Sequence, residues 1–99
     1  MTIKNKQDGA ALILEIEGRV DTTTSPELQN KILEAFQSTK ELVLDFAKVA
    51  YISSAGLRAL LIGQKTASSK GASMALRHVS AAVMQVLESV GFAKILKIE

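Results

Sequence analysis

The chain has 99 residues, of which 47% are hydrophobic and 22% charged, with a formal net charge of +2 and no cysteine. That length buries one core but not two, and the balance is that of a globular rather than a disordered chain. The small charge and an aromatic content of 4% give nucleic acid neither a basic footprint nor stacking rings, and the lack of thiols excludes disulfides, a thiolate nucleophile and thiolate metal sites.

The N-terminal Met1-Thr2-Ile3-Lys4-Asn5-Lys6 lacks the apolar core of a signal peptide, and no stretch approaches the roughly 18 uninterrupted apolar residues of a spanning helix. The expectation is a soluble, cytoplasmic protein without membrane insertion. Residues 2–7 read as a weak strand, and Asp8-Gly9 as a two-residue type I′ hairpin turn, which needs positive φ at both central positions. In residues 10–17, Leu12, Leu14 and Ile16 share one face while Ile13, Glu15 and Glu17 share the other, the pattern of a strand buried on one side.

A polar connection, Gly18 to Ser25, leads into a helix. Either Ser25 caps it with Pro26 at the first helical position, or Thr24 and Glu27 form a capping box. Leu28, Ile32, Ala35 and Phe36 recur at helical spacing and predict a stripe that lies on the sheet. Residues 41–45 carry Leu-Val-Leu without alternation, which predicts a central strand buried on both faces.

Residues 54–69 form the second predicted helix, with Leu57, Leu60, Leu61 and Gln64 on one line and Gly71 as the residue after its end. Residues 73–77 are a short fourth strand. Ser80 caps a third helix with the apolar line Val83, Val86, Leu87 and Val90, closed by Gly91. Residues 92–98 suit a short strand or one helical turn. The order β-β-α-β-α-β-α plus that last element implies a single α/β domain over residues 1–99: a mostly parallel sheet of four to five strands with an antiparallel edge hairpin and helices packed on it.

The inventory for catalysis is thin, and no enzyme, cofactor or metal site is expected. His78 is the one histidine, and no nucleophile can be assigned to it. Ser53-Ser54-Ala55-Gly56 lacks the leading glycine of a nucleophile elbow, and there is no phosphate-binding glycine loop or His-rich metal spacing. Met74 and Met84 read as core fillers.

One junction stands out. The strand ending at Asp45 crosses a short loop and arrives at Ser53 and Ser54, which open a helix. Unpaired N–H groups and the positive end of the helix dipole favour phosphate at such a place, although serine is also a common plain cap. Asp21 and Asp45 fall near the C-terminal ends of strands. They pair across that edge with the Ser54 helix start, or each caps its own turn.

Leu42-Val43-Leu44-Asp45-Phe46, then Tyr51-Ile52-Ser53-Ser54-Ala55-Gly56-Leu57, with Gly18-Arg19-Val20-Asp21 upstream, resembles the STAS domain of bacterial anti-sigma-factor antagonists over nearly the whole chain. The resemblance implies partner switching. The unphosphorylated antagonist binds an anti-sigma factor that is also a serine kinase and so releases the sigma factor. Phosphorylation ends the contact, and a metal-dependent serine/threonine phosphatase restores it. The phosphate acceptor falls on Ser54, with Ser53 as the alternative, because Ser53 stands where many relatives carry Asp. Asp21 and Asp45 match acidic positions of the family pattern.

Around that site, Gly56 allows close approach or serves helix–strand packing, Leu57 anchors the helix start, and Arg58 belongs to the partner surface. Two other readings remain at this level: a STAS subunit of a lipid-transport ATPase complex, in which the serine is only a cap, and a small nucleotide-binding domain.

Overall fold

A hairpin followed by strands that alternate with helices builds the whole structure, a computed structural model that describes residues 1–99. The elements are β1 (Thr2–Asp8), β2 (Ala11–Glu17), α1 (Ser25–Ala35), β3 (Glu41–Lys48), α2 (Ser54–Lys70), β4 (Ser73–Arg77), α3 (Ala81–Ser89) and β5 (Lys97–Ile98). A single 3₁₀ turn, Phe92–Lys94, precedes β5. The C-terminal segment is therefore both of the forms its sequence suits, first a helical turn and then a strand.

The five strands lie in the order β1-β2-β3-β4-β5. β1 and β2 are antiparallel, while β3, β4 and β5 each add in parallel to the strand before. Three successive parallel steps in one direction, each made by a right-handed crossover, put every helix on the same face of the sheet. Leu12, Leu14 and Ile16 of β2, Leu42, Leu44 and Phe46 of β3, and Met74 and Leu76 of β4 share one buried cluster with Leu28, Ile32, Leu57, Leu60, Val83 and Leu87 of the three helices.

The opposite face carries no helix. Ile13, Val43 and Ala75 stand side by side across β2, β3 and β4, are at most 5% exposed, and belong to no larger cluster. Lys6 and Lys97 flank that row in register, and Glu15, Asp45 and Arg77 form the next row. Charged side chains with long aliphatic stems cover a thin apolar strip while their heads stay in water.

The central position of β3 and the apolar stripe of α1 are as expected, with Leu28 and Ile32 fully buried. β3 runs three residues beyond the predicted end, through Phe46, whose side chain is fully buried. Four local expectations need correction. The hairpin loop is Gly9-Ala10, because Asp8 pairs with Ala11, and only Gly9 has positive φ (62°). That is the pattern of a type II′ turn, in which glycine holds the first loop position.

Thr24, not Ser25, is the N-cap residue of α1, and its side chain makes no cap bond, so neither predicted cap forms. Val90 is 47% exposed, since α3 ends before the apolar line completes its last turn. Met84 is only half-buried, whereas Met74 fills the core. Ser80 does cap α3, accepting the Val83 N–H at 3.2 Å, and Gly71 closes α2 at φ 65°.

Candidate functional site

All three helices start at the edge where the parallel strands end, which gathers the loops after β2, β3 and β4 at one end of the sheet. Past a register shift in β2, the pairing with β3 resumes in the loops. Val20 donates its N–H to the Tyr51 carbonyl at 3.1 Å, and Ser53 donates to the Val20 carbonyl at 2.8 Å. The approach to α2 is thereby tied to the approach to α1. Gly56 completes the joint: a Cβ there would lie 2.7 Å from both the Ile52 Cγ1 and the Val20 Cγ1. The close approach at Gly56 is made by the chain's own core, and the residue is buried rather than open to a partner backbone. Leu57, 9% exposed, anchors the same turn.

The two serines have different jobs. Ser53 is the N-cap, extended at φ −96°, ψ 176°, and its Oγ accepts the Gly56 N–H at 3.3 Å. Ser54 is the first residue of α2, is exposed, and its hydroxyl has no protein partner. The backbone amides are also partitioned. Leu57 N–H already donates to the Ser53 carbonyl at 2.9 Å and Gly56 N–H to the cap, so the amides left open are those of Ser54 and Ala55. An anion at Ser54 meets two free N–H groups and the positive end of a 17-residue helix.

Asp21 sits one residue beyond the Val20 joint, and its carboxylate works within its own loop. Its Oδ1 accepts the Thr23 and Thr24 N–H groups at 3.0 and 3.1 Å, while the Thr24 hydroxyl donates to the Arg19 carbonyl at 2.7 Å. The Thr24 backbone hydrogen bond holds the Asp21 carboxyl below the usual carboxylate range, with partial desolvation opposing and the Thr24 hydroxyl, Thr23 and Arg19 assisting.

Asp45 lies elsewhere. It faces the helix-free side of the sheet, accepts the Ala47 N–H at 2.9 Å, and pairs with His78 Nδ1 at 3.1 Å. Burial pushes its carboxyl up, but the Ala47 amide and His78 outweigh that and bring it below the usual range. No hydrogen bond or ion pair joins Asp45 to Ser54 or to Asp21; each acid stabilises its own turn. His78 supports this corner from a left-handed backbone conformation, φ 58°.

Between the first turns of α1 and α2 lies a polar cleft of about 310 Å³, with Thr22, Ser25, Gln29 and Asn30 on one side and Ser54 and Arg58 on the other. Arg58 is the only charged side chain lining it, and the guanidinium has no ion pair. Between the loops that precede α1 and α2, Arg19 stacks over Tyr51 with its guanidinium carbon 4.1 Å from the ring centroid, and Tyr51 is 42% exposed. Sequence reasoning missed that pair. An exposed aromatic between a Gly-Arg-Val-Asp loop and the serines is the signal that was there to find. The structure places no three histidine, cysteine or acidic side chains where they would hold a metal ion, and no helix is long and apolar enough to cross a membrane.

Comparison with known proteins agrees with this architecture. The family described as Mlab, STAS domain matches residues 3–97. An anti-sigma F factor antagonist of Paenibacillus polymyxa is 28% identical over 99% of this chain and 86% of its own length. Among solved structures, an anti-sigma factor antagonist from Mycobacterium paratuberculosis superposes with a TM-score of 0.88 at 20% identity, covering 98% of this chain and 83% of that one. The Bacillus cell fate determinant SpoIIAA in its phosphorylated form gives 0.75 at 15% identity, covering 99% and 91%. These structures share the fold, and the family match over residues 3–97 is decisive: the chain belongs to the STAS domain family.

Proposed function

We propose that this protein is an anti-sigma-factor antagonist whose docking is switched by phosphorylation of Ser54. The observation that carries the reading is the division of labour at α2: Ser53 takes the cap, and Ser54 is left exposed with a free hydroxyl. Its relative in Paenibacillus polymyxa is an anti-sigma F factor antagonist, and SpoIIAA, which shares the fold, is known in both unphosphorylated and phosphorylated forms.

In this reading an anti-sigma factor with serine kinase activity docks over the starts of α1 and α2. The Ser54 Oγ–P bond forms as the bond to the nucleoside diphosphate breaks, and the hydroxyl proton passes to a base of the kinase. The product adds about −1.5 to −2 charges and three acceptor oxygens. The fold tolerates them because the Ser54 and Ala55 amides and the helix dipole are available. The docking face does not, since taking such a charge out of water at an interface costs several kcal/mol. A metal-dependent serine/threonine phosphatase resets the switch. Asp21 and Ser53 hold the docking loops in shape, and Asp45 acts at a distance by fixing the exit from β3.

The test is direct. Incubation with the kinase and a nucleoside triphosphate adds one phosphate to the wild-type mass and none to Ser54→Ala, while Ser54→Ala still binds the anti-sigma factor. In the competing reading, a subunit of a lipid-transport ATPase complex, the serine with a purpose at this junction is Ser53, whose cap bond needs no modification. Stable capture of an ATPase subunit by both Ser54→Ala and Ser54→Asp, with no phosphate gained by the wild type, would establish it instead.

A further inference from the structure

Arg58 lies four residues after Ser54 on α2, and the two side chains line one cleft. Residues at that spacing are neighbours on a helix surface, about 5–6 Å apart at Cβ. The rest of the lining is neutral, so no carboxylate in the cleft competes for the guanidinium. Asp21 and Glu27, the acidic groups of the α1 start, lie outside the lining, and the Asp21 carboxylate is already engaged by Thr23, Thr24 and Arg19. The molecule has 12 Lys and Arg residues, yet the only one that lines this cleft stands unpaired one turn beyond the only serine with a free hydroxyl there.

We infer that Arg58 is the positioning residue for the phosphorylated state: it swings onto the Ser54 phosphate and holds it in the α1–α2 cleft. The inference rests on Ser54 as the modified residue. A planar guanidinium matches two phosphate oxygens with parallel N–H bonds, and the Ser54 and Ala55 amides approach the same group from the helix end. Phosphorylation then changes the docking face twice. It adds an anion, and it withdraws the free cation that an acidic group of the partner would otherwise meet.

The experiment installs phosphoserine at position 54 during translation, so it does not depend on any kinase. The phosphate is titrated by phosphorus NMR in the wild type, Arg58→Gln and Arg58→Lys, at low and high salt. With the pair formed, Arg58→Gln raises the second protonation constant of the phosphate about threefold at low salt, Arg58→Lys raises it less, and high salt narrows the difference. The Arg58 side-chain nitrogen resonances of the wild type also shift on phosphorylation, a readout that needs no variant to fold. Titration curves that coincide in wild type and Arg58→Gln, or an unmoved Arg58 resonance, overturn the inference while leaving Ser54 as the acceptor. Absence of phosphate on Ser54 after kinase treatment overturns the underlying reading and leaves the titration result to stand by itself.

Discussion

Ser25 and Ser54 hold the same position, the first residue of a helix at the same edge of the sheet, and their environments are opposite. Ser25 is 5% exposed and its hydroxyl donates to the Asp21 carbonyl. Ser54 is exposed and donates to nothing. The difference comes from what precedes each. Before α1, a carboxylate and a threonine close the turn, and the first helical serine is drawn into it. Before α2, Ser53 alone supplies the cap and leaves its neighbour idle. A helix start therefore does not by itself leave a hydroxyl free; a separate cap residue before it does.

The largest effect that separates the two starts is on docking. Ser54→Asp weakens binding to the anti-sigma factor a hundredfold or more, about 3 kcal/mol, and Ser54→Ala leaves it near wild type. Calorimetry with the purified partner measures both. Equal affinities would erase the functional half of the contrast.

The joint that presents Ser54 is next. Gly56→Ala forces a methyl against Val20 and Ile52 and destabilises the domain by about 1–3 kcal/mol, lowering the melting temperature by about 4–8 °C per kcal/mol. A melt by circular dichroism that matches the wild type would mean that the joint yields. Ser53→Ala removes the only side-chain cap of α2 and costs about 1 kcal/mol in urea titration, whereas Ser54→Ala shifts stability by at most a few tenths. If Ser54→Ala were the costlier change, the roles assigned to the two serines would be reversed.

The α1 start sharpens the comparison through pH. The Asp21 carboxyl titrates lower in the folded chain than in the unfolded one. Its contribution is thus complete above the unfolded value and is lost as pH falls through the lower folded value. Urea midpoints followed from neutral into acid decline less steeply for Asp21→Asn than for the wild type. Asp45 adds to the same acid limb from the other side of the sheet, so Asp21→Asn flattens the decline without abolishing it.

Much of this was legible in the chain. Leu12, Leu14 and Ile16 against Glu15 and Glu17 announce a strand with one core face, and the Leu-Val-Leu run of β3 announces a centre. Periodicity speaks clearly there because burial is decided by the face of an element. It speaks poorly where one hydrogen bond decides. Asp8-Gly9 reads as the turn, yet pairing of Asp8 with Ala11 moves the loop by one residue. Thr24 and Ser25 both have the chemistry of a cap, and a carboxylate three residues before Thr24 takes the backbone amides instead.

The candidate site divides in the same way. The serine pair and Gly56 were visible as a motif, but the assignment of cap to Ser53 and free hydroxyl to Ser54 depends on one 3.3 Å bond. Asp21 and Asp45 look equivalent as acids at strand ends. Only the sheet order shows that one borders the loops that lead into α1 and α2 and the other faces the helix-free side with His78. The solitary charge of Arg58 emerges from the packing of α1 against α2, elements whose first turns are separated by β3 in the chain.

The most direct test of the account is to map the phosphate after kinase treatment of three proteins, wild type, Ser53→Ala and Ser54→Ala, by mass spectrometry of the peptide that spans the start of α2. The account predicts one phosphate on Ser54 in the first two and none in the third. A phosphate on Ser53, or a full phosphate retained by Ser54→Ala, would contradict it.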